Sequence, residues 1–324
     1  MNLITVLGPT AGGKTSFAAH LAVALQTEII SADSRQIYKG MDLGSGKDIE
    51  DYSVDGKNIP YHMIDILPAG EKYNVFRYQK DFFDVYQKIT TNGKTPILCG
   101  GTGLYLESVI KNYQLIDVPA NPELRKNLEQ YTLDQLKEML AKMKTLHNNT
   151  DTDTKKRAIR SIEIETFIKE NPKIVPSYPK IDSLVFGIKN PRDIEREKIR
   201  IRLQQRLEEG MTDEIKRLID SGIPADDLIY YGLEYKYVTL YVIGQLKYEE
   251  MFEQLYIAIC QFAKRQMTWF RRMERMGVYI NWIDARLTMQ QKVSFALETI
   301  ERNKNINVAK THSRNTTDYK IHSL

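Results

Sequence analysis

The chain has 324 residues, 42% of them hydrophobic, with 46 basic and 42 acidic side chains and a net charge of +4. That is enough apolar material for one large or two modest domains without covalent staples, and a charge this close to balance decides nothing about nucleic acid. Cys99 and Cys260 lie far apart in unrelated contexts, which excludes a disulfide framework or zinc cluster, and no apolar run approaches the roughly eighteen residues of a membrane span. With no basic leader or cleavage site ahead of the first strand, a soluble, unprocessed, cytoplasmic protein is expected.

In chain order, "LITVL" (3–7) reads as a buried strand that runs straight into "GPTAGGKT" (8–15). "KTSFAAHLAVAL" (14–25) follows with helical spacing, then the strand "EIISAD" (28–33), an acidic stretch "DIEDYSVD" (48–55), the helix "FRYQKDFFDVYQKI" (76–89) and the strand "PILCGG" (96–101). Strands alternating with helices predict an α/β fold whose parallel sheet is covered on both faces. From 118 to 180 the pattern turns polar and helical, with "NPELRKNLEQYTLDQLKEMLAKM", the turn-rich "HNNTDTDT", the helix "KKRAIRSIEIETFIK" and the proline-punctuated "NPKIVPSYPK". The strand "SLVFGI" (183–188) then resumes the first pattern, and "NPRD" starts a helix with Pro191 at its first position and Asp193 in its first turn. The chain is helical to about residue 275, and residues 301–324, polar and without periodicity, read as a mobile tail. The expected organisation is a discontinuous P-loop core, 1–117 plus 181–300, flanked by helices, with a helical insertion at 118–180 and the tail.

Two patterns carry chemistry. In "GPTAGGKT" the residues Gly8, Gly13, Lys14 and Thr15 stand where a P-loop needs them: backbone amides and the helix start cradle a diphosphate, the lysine neutralises it, and the threonine hydroxyl can hold Mg²⁺. Nucleotide hydrolases normally end a second strand in a magnesium-supporting aspartate, whereas the later strand here ends "ILCGGTG". The nearest acid at a strand end is Asp33, which a parallel sheet brings to the same edge as the P-loop. It is a candidate general base, against the plainer role of a turn or N-cap aspartate. Basic runs concentrate in the second half, in "KKRAIR" (155–160), "RDIEREKIRIRLQQR" (192–206) and "KRQMTWFRRMER" (264–275), and suggest a polyanion partner against the alternative of solvated faces.

The chain resembles the tRNA dimethylallyltransferases, also called tRNA isopentenyltransferases. Their pattern reads GPTASGKT, DSMQVYRGMDIGTAKP, PHHLID, GGTGLY, RxxRALE and RQxTWFR. This chain has, in the same order, GPTAGGKT, DSRQIYKGMDLGSGKD (33–48), PYHMID (60–65), GGTGLY (100–105), RAIRSIE (157–163) and RQMTWFR (265–271). The resemblance covers roughly residues 3 to 285.

It implies transfer of a dimethylallyl group from dimethylallyl diphosphate to the exocyclic amine of the adenosine 3′ of the anticodon, with Mg²⁺ as cofactor. It further implies that Gly8, Thr10, Ala11, Gly12, Gly13, Lys14 and Thr15 hold the leaving diphosphate, Thr15 the metal, and that Asp33 is the base, assisted by Thr102 and Lys14. The tRNA anticodon stem-loop is then the partner, met by Asp33, Ser34, Arg35, Gln36, Lys156, Arg157, Arg160, Lys236, Lys264, Arg265, Gln266, Thr268, Trp269 and Arg271; Gln36 is expected to read the base. Arg157 and Arg160 lie one helical turn apart. A helical reading puts Lys264, Thr268, Arg271 and Arg275 on a basic face and Ile259, Ala263, Met267 and Phe270 on a core face.

The target adenosine must be extruded from its stack. This chain departs from the pattern at Arg35, where methionine is usual, at Gly46 and Asp48, where alanine and proline are usual, and at Tyr61, in place of histidine. Thr154 stands where an aspartate is commoner, and Glu234 of "EYKY" (234–237) where the family has glycine. Two other readings stay open from the residues alone: a P-loop small-molecule kinase using ATP, and an RNA-binding protein with a vestigial P-loop. A monomer without an obligatory protein partner is expected.

Overall fold

The computed structural model describes residues 1–145, 152–171 and 177–318. Most of the turn-rich "HNNTDTDT", part of the linker "NPKIVPSYPK" and the last six residues lie outside the described residues. The chain forms two compact units, Met1–Asn112 with Lys180–Leu324, and Tyr113–Pro179.

The larger unit is built on a six-stranded parallel sheet. In chain order its ten strands are β1 (Leu3–Leu7), β2 (Ile29–Ser31), β3 (Tyr38–Lys39), β4 (Ser53–Val54), β5 (Lys57–Asn58), β6 (Tyr61–His62), β7 (Leu67–Pro68), β8 (Ile97–Gly100), β9 (Ser183–Lys189) and β10 (Ile280–Asp284). The main sheet runs β10-β9-β1-β8-β2-β6, and all of its pairings are parallel. Every residue of β1 is buried, because a parallel strand is covered by helices on both faces. Leu7 pairs with Gly100 on one side and Gly187 on the other, so the ends of β1 and β8 come out level while β9 runs two residues further. The edge strand β10 was not anticipated from the sequence: five residues between two helices give too short a period to stand out.

The helices of this unit are α1 (Lys14–Leu25), α2 (Val75–Thr91) and α3 (Gly103–Ile110), which follow β1, β7 and β8. Those of the insertion, α4 to α6, are given below; then come α7 (Arg192–Glu208), α8 (Met211–Asp220), α9 (Ala225–Tyr231), α10 (Leu233–Val242), α11 (Tyr248–Arg275) and α12 (Met289–Asp318). Phe17 of α1 meets Phe186 of β9 edge-on at 6.5 Å, and Ala296 and Ile300 of α12 close the same core. The helix α12 continues to Asp318, so residues 301–318 are helical where a tail without elements was expected. Once a turn is anchored by buried side chains, each further residue adds a hydrogen bond at little cost, so weak periodicity does not stop a helix. Strand β2 leads to Asp33 with little room beside it: a Cβ on Gly100 would lie 2.2 Å from the Ala32 carbonyl oxygen.

The smaller unit contains α4 (Pro122–Leu128), α5 (Leu133–Met143) and α6 (Lys155–Glu170), packed on Leu128, Leu136, Leu140, Ala158, Ile159 and Ile162. Each helix is capped by its own sequence. The Asn121 side chain accepts from Leu124 N, Thr132 and Gln135 form a capping box, and Thr154 Oγ1 accepts from Arg157 N at 3.3 Å. Thr154 thus does at this position what an aspartate would do.

Glu163 ties the unit together. It is 2% exposed and accepts from Arg125 Nε at 2.9 Å, Arg125 Nη2 at 2.7 Å, Asn121 N at 2.6 Å and Arg160 Nη1. Burial works against its charge, but the hydrogen bonds from Arg125, Asn121 and Arg160 prevail and hold its pKa down to about 2. A carboxyl whose folded pKa lies below its unfolded value of 4.5 contributes stability that is present above pH 4.5 and is lost as pH falls toward 2. The contribution at neutral pH is about 3 kcal/mol. Glu163→Gln is therefore expected to lower the hydrogen-exchange protection factors of the α6 amides at pH 7 and to remove most of their fall between pH 4.5 and 2. Protection factors of α6 that fall in acid as they do in the wild type would show that Glu163 is not the titrating anchor.

Candidate active site

Three segments leave the carboxyl edge of the sheet side by side: the P-loop after β1, the turn 100–103 after β8, and Asp33 after β2. One side chain of α11 locks the first two. Gln266, buried, accepts from Thr10 N at 2.9 Å through Oε1 and donates through Nε2 to Gly101 O at 2.9 Å. One turn on, Trp269 lies so close over Gly103 that a Cβ there would be 2.5 Å from the indole ring. The other face of Trp269 carries the Arg272 guanidinium, 4.4 Å from the ring centroid, and Arg272 pairs with the fully buried Glu107 of α3. The motifs GGTG and RQMTWFR are thus two halves of one joint.

Gln266 and Trp269, both expected at the tRNA, are tied into the protein here: the Gln266 amide bonds Thr10 N and Gly101 O, and Trp269 meets Gly103 and Arg272. Arg272 was not singled out at all; its signal was only a cation at i+3 from Trp269 in a run rich in them.

The hydroxyl of Thr102 accepts from Ser34 N at 3.0 Å and lies 3.4 Å from Ser34 Oγ. Thr102 occupies the N-cap position of α3, yet its side chain makes no capping bond there; it binds the Asp33–Ser34 segment instead. Asp33 Oδ1 in turn accepts from Arg35 N at 2.9 Å. Three of the expected residues, Asp33, Ser34 and Thr102, are in this way fixed against one another.

Two cavities open on either side of this assembly. One, about 110 Å³, is lined by the P-loop residues Thr10 to Thr15 and by Gln36, Asp48, Asp51, Ile199, Arg202, Leu203 and Arg206. The other, wider at about 370 Å³, is lined by Ser34, Arg35, Thr102, Tyr230, Lys236, Phe262 and Arg265. They share Thr10, Lys14, Asp33, Ser45 and Glu234. The ammonium of Lys14 and the carboxylate of Asp33 therefore stand where the two meet. Burial lowers the Lys14 pKa, against the pull of Asp33, which favours the charged form.

Gln36, expected to read a base, lines the narrower cavity; it donates to Gly46 O at 2.9 Å and accepts from Ser31 Oγ at 3.2 Å. Its amide is thus held by the chain at both ends while it faces the cavity. Arg35 lies against Gly232, where an added Cβ would come 3.1 Å from Nε. Arg202 and Arg206 were missed as site residues, although their i, i+4 spacing within a basic run puts them on one face of α7. Tyr230, 77% exposed, and Phe262, 39% exposed, were missed too; the aromatic run "LIYYGLEYKY" was the available hint.

Lys264, Thr268 and Arg271 are exposed, and Thr268 Oγ1 bonds back to Lys264 O. Lys264 and Arg271 line a separate groove with Lys189, Asn190, Arg192 and Arg196, on a different side of α11 from Arg265. Met267, assigned to the core face, also lines that groove. In the insertion, Lys156 and Arg157 are exposed, but Arg160 turns inward to Glu163 and donates to Val118 O at 2.8 Å. Arg160, expected at the tRNA, is thus also a strut of the insertion, with its side chain 39% exposed.

Thr15 faces the narrower cavity, with Asp48 and Asp51 on its wall. Among the described residues no group of three or more His, Cys, Asp or Glu gathers as a metal site. A P-loop magnesium does not need one, since it takes a hydroxyl, waters and phosphate oxygens. The charges fit such an ion: Lys14, Arg202 and Arg206 face four carboxyl groups, Asp33, Asp48, Asp51 and Glu234, so a diphosphate here needs added positive charge. Burial raises the pKa of Asp51, helped by Asp48, and burial likewise raises that of Glu234.

Comparison with known proteins gives a uniform answer. Residues 36–273 match the family model for IPP transferase, and residues 1–60 that for isopentenyl transferase. The chain is 59% identical to tRNA dimethylallyltransferase 1 of Parabacteroides distasonis, over 92% of this chain and 97% of that protein, and 48% identical to tRNA dimethylallyltransferase 1 of Syntrophus aciditrophicus, over 87% and 93%. Among solved structures, the tRNA isopentenylpyrophosphate transferase of Bacillus halodurans aligns with a TM-score of 0.71 at 31% identity, covering 96% of this chain and 99% of that one. A eukaryotic dimethylallyltransferase acting on tRNA shares the fold, with a TM-score of 0.74 at 21% identity over 93% of this chain and 79% of that one. These likenesses favour the prenyl-transfer reading over the kinase alternative, and the chain belongs to the IPP transferase family, that of the tRNA dimethylallyltransferases.

Proposed function

We propose that the protein transfers a dimethylallyl group from dimethylallyl diphosphate to the exocyclic amine of the adenosine 3′ of the anticodon in tRNA, releasing diphosphate. The observation that carries this reading is the pair of cavities meeting at Lys14 and Asp33. One has the P-loop and two arginines for a diphosphate. The other, wider and rimmed by Tyr230 and Phe262, has room and aromatic surface for an extruded base.

The chemistry follows from the junction. The adenine amine is a weak nucleophile because its lone pair is delocalised into the ring, so bond formation and proton loss must go together. The amine nitrogen bonds to the allylic carbon as the C–O bond breaks; the bonding electrons leave with the diphosphate, and the amine proton passes to the Asp33 carboxylate. Charge then grows on the diphosphate, where the P-loop amides, Lys14, Arg202 and Arg206 receive it. Thr102 keeps the Asp33–Ser34 segment in place through its bond to Ser34 N. When bound at Thr15, Mg²⁺ supplies further positive charge to the leaving group. Arg35, Lys236 and Arg265 face the base side, and Lys156, Arg157, Lys264 and Arg271 remain exposed cations suited to RNA phosphates.

The direct test is transfer of labelled dimethylallyl to an unmodified anticodon stem-loop with Mg²⁺ and no ATP. Label at the adenosine 3′ of the anticodon, lost in Lys14→Ala, supports the reading; ATP consumption without label overturns it. Asp33→Asn is expected to slow transfer by about a hundredfold or more while tRNA still binds. A rate equal to wild type would remove Asp33 as the base. Arg271→Ala is expected to weaken tRNA binding and to lower the salt dependence of log K by about one. A defect in donor affinity alone would assign Arg271 and its groove to the donor instead of the RNA.

A further inference from the structure

Asp48 stands where the family pattern has proline, and its side chain is not used as its position would suggest. It occupies the N-cap of a single 3-10 turn, Ile49–Tyr52, but makes no side-chain capping bond. Its two oxygens instead divide between two arginines of α7: Oδ1 accepts from Arg206 Nη2 at 2.8 Å and Oδ2 from Arg202 Nη2 at 2.5 Å. All three side chains line the P-loop cavity.

Like charges at i, i+4 repel on a helix face, and these two lie together in a setting that already disfavours charge: burial, then the proximity of Arg206, lowers the Arg202 pKa, while Asp48 opposes the shift. A shared anion removes the conflict and fixes two long side chains at once.

A purely architectural role for these ion pairs is redundant. The loop that carries Asp48 is already held by Glu214, 3% exposed, which accepts from Asp42 N at 2.9 Å, Leu43 N at 2.7 Å, Gly44 N at 3.1 Å and Tyr235 Oη at 2.8 Å. Arg206 adds a bond from Nη1 to Leu43 O at 2.6 Å, and Lys47 is tied to Asp42 at 2.9 Å and to Tyr38 O at 2.5 Å.

We propose that Asp48 is a positioning residue for the prenyl donor: its carboxylate holds the Arg202 and Arg206 guanidinium groups side by side on the wall of the P-loop cavity, ordered before the diphosphate arrives. This rests on the reading of the cavity as the diphosphate site. Ordering two flexible arginines in advance spares the ligand that entropic loss.

The test is calorimetric binding of dimethylallyl diphosphate and of inorganic diphosphate to the full chain, wild type and Asp48→Asn, with thermal melting of both and prenyl transfer by the wild type. The dissociation constants of both ligands are expected to rise about tenfold in Asp48→Asn, with tRNA affinity unmoved and partial recovery in Asp48→Glu. In an Arg202→Gln/Arg206→Gln background, adding Asp48→Asn should change nothing further. Unaltered diphosphate affinity in Asp48→Asn overturns the proposal, whether or not the melting temperature falls, and a fall would mark a structural brace. Tighter binding also overturns it, because Asp48 would then be competing with the donor for the arginines. A wild type that transfers no prenyl group removes the functional reading and the proposal with it; wild-type transfer with an unaltered variant removes the proposal alone.

Discussion

The two hydrogen bonds of the Gln266 amide are the constraint on which the site depends. A P-loop can cradle phosphate wherever a strand meets a helix, but it becomes part of a transferase only when a second substrate is held at a fixed distance from it. Gln266 sets that distance. It ties the loop after β1 to the turn after β8, and Trp269 seats that turn on α11 through its contact with Gly103. Thr102, inside the turn, then positions the segment that carries Asp33. A buried amide with both ends satisfied is rigid, since breaking either bond leaves a polar group unpaired. The P-loop and Asp33 are therefore referred to one common anchor.

The cavity at the P-loop is not the simple positive pocket that such a loop suggests. Four carboxyl groups face three cations. Two of them, Asp51 and Glu234, are pushed toward the neutral form by burial, and a third, Asp48, is engaged by Arg202 and Arg206. The field in this cavity thus depends on how the chain neutralises its own acids. Two positions at which this chain departs from the family pattern, Asp48 and Glu234, line this cavity, and a third, Arg35, lines the neighbouring one, which Glu234 also borders. Departures that look scattered in the sequence belong to one electrostatic neighbourhood.

The motif residues divide into those that can meet a ligand and those that hold the others in place. Arg157 is exposed while Arg160, three residues later, is folded against Glu163. Arg265 and Gln266 both line the wider cavity, but Gln266 is buried and bonded to two loops of the chain. A motif records both kinds without distinction, because losing a strut that aims a catalytic group is as damaging as losing the group.

The sequence by itself determined the parallel α/β core, the helical insertion, the P-loop, and Asp33 as an acid at the same sheet edge. These follow from local signals: buried apolar runs, helical periods, a glycine-rich turn, and the rule that parallel strands end together. It also carried the family through its ordered motifs. It did not determine which polar side chains are free. Gln36, Arg160, Gln266 and Trp269 read as ligand contacts because they are polar or aromatic residues in functional motifs, and each also meets partners within the chain, several of them, such as Thr10 and Gly101 for Gln266 and Gly103 for Trp269, far away in the sequence. Arg202, Arg206 and Asp48 became visible as a unit only when α7 was laid beside the loop before Ile49, more than 150 residues away along the chain. Hydrogen bonds and ion pairs act over about 3 Å in space, and a sequence gives no measure of that distance; only the packed sheet and helices decide which charges meet.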